Sequence, residues 1–193
     1  MRKATLKIAV MLMALGMWLP VRAKADAIVS VSGPSTATVG DMITIDLNVT
    51  GASDLYAFQL DLGFDPTILA AVSVTEGSFL PTGGSTIFFP GAIDNLLGSV
   101  SNNADTLVSA APGVTGDGLL LAIQFSVIGT GSTTLTPANL LFLDSNFNIV
   151  NVSSTNGALD VSPATATPEP GTFLLLVTGI LTAAIAGRMR SSR

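Results

Sequence analysis

From Leu55 to Pro66 apolar residues alternate with small or polar ones. Tyr56, Phe58, Leu60, Leu62 and Phe64 fall on one side, and Ala57, Gln59, Asp61 and Gly63 on the other. A period of two is that of a strand with one face in a core and one toward water. Three aromatics and two leucines make a large inward surface for one strand. Asp65-Pro66 then ends it, since proline brings no N–H to a ladder and favours a turn. Two other stretches alternate as clearly. Residues 42–50 place Ile43, Ile45, Leu47 and Val49 on one face, and residues 119–128 do the same with Leu119, Leu121, Ile123, Phe125 and Val127. Gly51-Ala52-Ser53-Asp54 is expected to turn the chain between the first pair of strands.

Weaker patterns predict shorter strands at 28–32, 68–75, 86–89, 98–101, 106–110, 132–136, 140–143, 148–152 and 158–161. Turn residues stand between them, among them Gly33-Pro34-Ser35, Val39-Gly40-Asp41, Glu76-Gly77, Pro112-Gly113, Gly116-Asp117-Gly118 and residues 144–147. From 78 to 101 the pattern is irregular and reads mainly as loop. No strong amphipathic helix interrupts the series. Short strands at near-even spacing predict an all-β chain, an antiparallel β-sandwich or jelly roll of about nine strands. Its expected core includes Ile43, Ile45, Val49, Tyr56, Phe58, Leu60, Leu62, Leu121, Ile123 and Phe125.

The two ends read differently. Residues 1–25 have the three parts of a secretory signal: Arg2, Lys3 and Lys7, an apolar run over 8–19, and Ala23-Lys24-Ala25 as a small-x-small cleavage site, with Ala25-Asp26-Ala27 as the alternative. The β-domain is expected over 26–161, followed by a Pro/Thr-rich linker at 162–171. Residues 172–187 are apolar throughout. At about 1.5 Å per residue they reach roughly 25 Å, enough for a thin bilayer. The basic segment 188–193, with Arg188, Arg190 and Arg193, is expected to stay cytoplasmic and retain the tail. This layout predicts an exported domain tethered to the membrane through its C-terminal helix.

Charge narrows the chemistry. All 8 Lys and Arg lie in residues 2–24 or 188–193, and all 13 Asp and Glu lie between Asp26 and Glu169. The domain therefore has no basic side chain, and the chain has no His and no Cys. Nucleic acid is excluded as a partner, since nothing can neutralise phosphate. The usual catalytic base, thiol nucleophile and Schiff-base amine are missing, so the chain is not expected to be an enzyme. A pair of carboxylates drawn from Asp61, Asp65, Glu76 and Asp94, acting as a glycoside hydrolase, is the remote alternative. Every domain carboxylate must be solvated, bonded to N–H or O–H donors, or bound to a cation. Asp144, Asn146 and Asn148 stand in a D-x-N-x-N spacing that a loop could converge on Ca²⁺, although the glycine and distal glutamate of a complete loop are absent. A hairpin turn uses the same residues. No other cofactor is expected. Sugar platforms use Trp or Tyr, but Trp18 lies in the signal and Tyr56 points into the expected core. Phe79, Phe88, Phe89 and Phe147 remain for polysaccharide stacking.

Two resemblances add to this reading. Pro168-Glu169-Pro170, then an apolar helix, then an arginine cluster resembles the PEP-CTERM sorting tail. That resemblance implies processing near the triplet by an exosortase and delivery to the cell surface or extracellular matrix of a Gram-negative bacterium that makes exopolysaccharide. The domain, over about 28–161, resembles a cohesin module. The likeness rests on Val39-Gly40-Asp41, on Leu55-Tyr56-Ala57-Phe58 running to Phe64-Asp65-Pro66, on Glu76-Gly77-Ser78-Phe79-Leu80, and on residues 118–125, GLLLAIQF. It implies a nine-stranded jelly roll, related to carbohydrate-binding modules, that holds a dockerin-like protein through one sheet face. The expected function is an exported, non-catalytic binding module for a protein partner or an exopolysaccharide. An acidic, calcium-dependent structural module of the matrix is the alternative.

Overall fold

Residues 42–63 form one strand where the sequence predicts two with a turn between. The computed structural model describes residues 26–108, 112–164 and 178–180. Among them are twelve strands: β1 Ala27–Ser32, β2 Thr36–Thr38, β3 Met42–Gly63, β4 Leu69–Glu76, β5 Thr86–Phe89, β6 Ala92–Asp94, β7 Ser99–Leu107, β8 Val114–Val127, β9 Gly131–Asp144, β10 Ile149–Val150, β11 Val152–Thr155 and β12 Gly157–Ser162, with a 3-10 turn at Leu80–Gly83.

The 22-residue β3 organises the rest. Its first half pairs with β1 on one side and β8 on the other. Its second half pairs with β7 and β9. The change of partners falls at Gly51–Asp54, where the register with β8 shifts twice and the backbone turns left-handed at Gly51 (φ 71°) and Asp54 (φ 59°). These are bulges, which bend a strand without ending it. Neighbouring strands hold them in place. The Gly51 N–H donates to Asp117 Oδ1 at 2.7 Å. Asp54 Oδ1 accepts from the Gly113 N–H at 2.7 Å, and its Oδ2 accepts from Ser145 Oγ at 2.7 Å. Aspartate tolerates the left-handed backbone that β-branched residues resist.

The bulges reset the side-chain phase. Ile43, Ile45, Leu47 and Val49 are buried, then Ala52 and Leu55, then Phe58, Leu60, Leu62 and Phe64. Tyr56 is the casualty. It is half-buried, not a core residue, and lies edge-on to Phe147 with ring centroids 5.5 Å apart. The other nine expected core positions are buried. A further bulge between Leu47 and Asn48 leaves Leu120 buried beside Leu121.

The expected strands at 132–136 and 140–143 are likewise one strand, β9. Pro137 lies inside it, buried opposite Leu62, next to a register shift and the left-handed Asn139 (φ 50°). A proline without an N–H survives in a strand at such a bulge. The expected strands at 98–101 and 106–110 fall in one strand, β7, because polar residues at 101–106 hide the alternation that joins them. Not all pairing is antiparallel: β1 runs parallel to β11, and β2 parallel to β12. Gly33-Pro34 lets the chain leave the ladder with β3 and join β12 instead.

The core gathers the inner faces of all the long strands. Phe64 meets Phe125 edge-on at 5.1 Å, and Phe58 stands opposite Phe142 at 5.9 Å. The turn after β3 forms as expected. Asp65 O accepts from the Leu69 N–H at 2.9 Å, and Asp65 Oδ1 accepts from the Thr67 N–H at 2.8 Å and hydroxyl at 2.6 Å. The hydroxyl first and the amide second hold the Asp65 carboxyl below its ordinary range.

The chain divides into two units, Met1–Ser162 and Pro163–Arg193. The expected signal at 1–25, the triplet Pro168-Glu169-Pro170 and the basic segment 188–193 lie outside the described residues. Of the expected span 172–187 only 178–180 are described, and they are helical. No helix among the described residues is long and apolar enough to cross a membrane.

Candidate docking face

The pleat of β3 turns one row of side chains into the core and the next row outward. Over its second half the sheet runs β5, β7, β3, β9, and register aligns the outward rows. One row is Ile87, Thr106, Ala57 and Leu143. The next is Phe89, Ala104, Gln59 and Leu141. Small residues in the middle strands and large ones at the flanks leave a shallow hollow of about 190 Å³, whose lining includes Phe89, Ala104, Thr106, Leu141 and Leu143. Its rims are exposed apolar groups: Phe89 at 56%, Ile87 at 49% and Leu141 at 40%. A contiguous exposed apolar face of this kind is characteristic of interaction surfaces.

Beside it lies a fixed polar cluster. Asp61 Oδ1 accepts from the Asn102 N–H at 2.6 Å, and Oδ2 accepts from Asn139 Nδ2 at 2.6 Å. Both asparagines are left-handed, at φ 60° and 50°, so two bulges meet around one carboxylate. Gln59 Nε2 reaches Asn102 Oδ1 at 3.4 Å. Apolar hollow and polar rim together have the anatomy of a protein-binding patch.

The sequence-predicted site residues are placed as follows. Asp144, Asn146 and Asn148 share one turn. Asp144 Oδ1 accepts from the Asn146 and Asn148 N–H groups, both at 2.9 Å, and from Asn148 Nδ2 at 3.2 Å. The Phe147 N–H closes the turn on Asp144 O at 2.8 Å. No group of three or more His, Cys, Asp or Glu among the described residues could hold a metal. Of the carboxylates considered for glycoside hydrolysis, Asp61 lies on the outer sheet face and Asp65 in its turn. Asp94 Oδ1 accepts from the N–H groups of Leu96 at 2.9 Å and Leu97 at 3.0 Å. Each of these three is engaged in hydrogen bonds of its own. Of the phenylalanines, Phe79 is buried, Phe88 is half-buried, and Phe89 and Phe147 are exposed.

The fourth of those carboxylates, Glu76, acts electrostatically on another carboxylate, Asp105. Asp105 sits on the inner face of β7, 2% exposed, between Phe88 and Phe58. Neither of its oxygens has a hydrogen-bond partner. Burial first, and the Glu76 carboxylate second, push its pKa up to about 7, and the neighbouring Thr106 amide opposes this only in part. Asp105 shares its phase with Leu107 but also with the polar Asn103, so alternation alone does not mark this face as buried.

The fold is that of an all-β sandwich domain with an apolar outer sheet face. A cohesin-domain profile matches residues 28–161, and the chain belongs to the cohesin family. Cohesin domains are non-catalytic protein–protein binding modules. Solved structures share the fold. A non-cellulosomal cohesin from the archaeon Archaeoglobus fulgidus is 21% identical, with a TM-score of 0.58 over 72% of this chain and 92% of that one. The second type II cohesin module of the adaptor ScaA scaffoldin of Acetivibrio cellulolyticus is 17% identical, with a TM-score of 0.61 over 72% and 98%. A type II cohesin–X-dockerin complex from the same organism is 17% identical, with a TM-score of 0.59 over 71% and 100%. No curated protein matches the chain.

Proposed function

We propose that this chain is an exported docking module that holds a dockerin-type protein on the outer face of β5, β7, β3 and β9. The observation that carries the reading is the apolar hollow rimmed by Phe89, Ile87 and Leu141, flanked by the Asp61 cluster. A partner suited to it presents apolar side chains to the hollow and hydroxyl, amide or basic donors to Asp61. With no basic side chain between residues 25 and 187, the face also repels acidic partners.

The test is interferometry of the chain against a panel of dockerin modules and, in parallel, exopolysaccharide. Wild type is expected to bind a dockerin, and the double variant Phe89→Asp/Leu141→Asp to lose about 100-fold in affinity. Both positions are exposed, so the melting temperature should hold. Binding of polysaccharide alone, or dockerin binding indifferent to the double variant, would overturn the assignment.

We infer further that the C-terminal segment sorts the protein. The order Pro168-Glu169-Pro170, apolar run, Arg188, Arg190 and Arg193 supports this. An exosortase-type enzyme would act near the triplet, with the tail in the inner membrane and the domain released to the cell surface or matrix. Mass spectrometry of the extracellular protein should find peptides ending near Pro170 and none reaching Arg188. Intact peptides from Ala164 through Arg188 would leave a plain membrane anchor.

A further inference from the structure

Asp105 is a buried acid in a domain that has no basic side chain to pair with it. Opposite it, β3 and β5 offer Phe58 and Phe88. The other ionisable groups of β3 point elsewhere: Asp46 pairs opposite Ala122 in the first half, Asp54 bonds Gly113 and Ser145, Tyr56 lies against Phe147, and Asp61 is on the outer face. From β8, Asp117 is engaged with Gly51, and the 3-10 turn Leu80–Gly83 carries no titratable group. Among the described residues, the ionisable group that acts on Asp105 is Glu76, at the exposed end of β4. The Thr86 hydroxyl, at the start of β5, donates to the same Glu76 carboxylate. The strand β5 is four residues long and pairs with β7 alone.

We propose that Asp105, Glu76 and Thr86 form a proton-operated latch on β5, and so on the docking face that β5 helps to build. With a proton, the Asp105 carboxyl is neutral and donates through one oxygen to Glu76, and Glu76 stays in place to accept from Thr86. Without it, a buried carboxylate faces a second carboxylate with no donor between them. Glu76 then swings into solvent and releases Thr86, leaving β5 held by the β7 ladder and by the packing of Phe88 on the core. Ile87 and Phe89 move with it; this last step rests on the docking reading, whereas the latch does not.

The sign follows from the raised pKa. The folded state keeps its proton up to about pH 7, whereas an unfolded aspartate gives it up near 3.8. The contribution of Asp105 is therefore complete below about pH 4 and is lost as pH rises through about 7. Most proteins are instead at their most stable across this range. No His or Cys side chain titrates within this window, since the chain has neither.

Thermal unfolding of the full chain, followed from about pH 5.5 to about pH 8, tests the latch without any partner. The melting temperature of wild type should fall by several degrees, and that of Asp105→Asn should stay level. Glu76→Gln, at an exposed position, keeps the buried acid and should move the midpoint of the fall to lower pH, which serves even if Asp105→Asn does not fold. Hydrogen exchange, corrected for its intrinsic pH dependence, should show residues 86–89 losing protection over the same range while β8 keeps its own. A wild-type curve that is level or rising, or a fall retained unchanged in Asp105→Asn or in Glu76→Gln, would overturn the latch. So would restoration of the high-pH melting temperature by millimolar calcium, which would make the site a cation site.

Discussion

Phe58→Ala is expected to remove about 3–5 kcal/mol of unfolding free energy, read from urea denaturation at constant slope. Phe58 is 3% exposed and stands directly opposite Phe142, itself wholly buried. Their rings lie 5.9 Å apart at 43°, and the next inward residue, Leu60, is wholly buried. Truncation leaves a cavity between two strands whose ladders on both sides prevent collapse, so the transfer and cavity penalties add. A domain of this size is stable by roughly 5–15 kcal/mol, so the variant should sit near its folding threshold. The control is Tyr56→Ala. A strictly continued period of two would make both residues equal core anchors. The bulge at Asp54 makes Tyr56 a half-buried partner of Phe147, and its loss should cost about 1 kcal/mol. Equal losses at 56 and 58 would refute the observed phase.

That pair marks what the sequence could and could not convey. Residues 43–49, 58–64 and 121–127 were legible because each is long enough for period two to declare the buried face. Gly51-Ala52-Ser53-Asp54 was misread as a turn because turn chemistry and bulge chemistry use the same residues: both need a left-handed glycine or aspartate. What decides between them is whether partners lie ready across the strand. Here those partners are Asp117, Gly113 and Ser145, which come from 59 to 91 residues further on in the chain. The docking face was hidden for a related reason. Ala57, Gln59, Ala104 and Thr106 look like an ordinary wet face of two strands. Only the register of four strands sets Phe89, Ile87 and Leu141 around them. Asp105 was missed because β7 has polar residues on both faces, so no alternation showed which one was buried.

The glycine of residues 76–80, EGSFL, explains why that segment and residues 118–125 carry so much of the family likeness. After β4 the chain stays against β8: the Gly77 N–H donates to Leu120 O and the Phe79 N–H to Leu119 O, both at 2.9 Å. That approach leaves no room for a side chain. A Cβ on Gly77 would lie 2.1 Å from the Leu119 carbonyl oxygen and 2.5 Å from the Leu120 carbonyl carbon. From the other side, a Cβ on Gly118 would lie 2.7 Å from the Phe79 ring. The two segments are thus fitted to each other, glycine against backbone and glycine against ring. Gly77→Ala therefore meets backbone, not a movable side chain, and must push β8 or the residues after β4 aside. Overpacking of a well-filled site costs about 1–3 kcal/mol, and the backbone contact places Gly77→Ala near the upper end. Gly118→Ala meets a ring that can shift and should cost less. Because Glu76 precedes the strained residue, Gly77→Ala should also weaken the hold of Thr86 and lower the exchange protection of residues 86–89. A Gly77→Ala variant as stable as wild type would mean that the segment after β4 lies farther from Leu119 and Leu120 than their hydrogen bonds require.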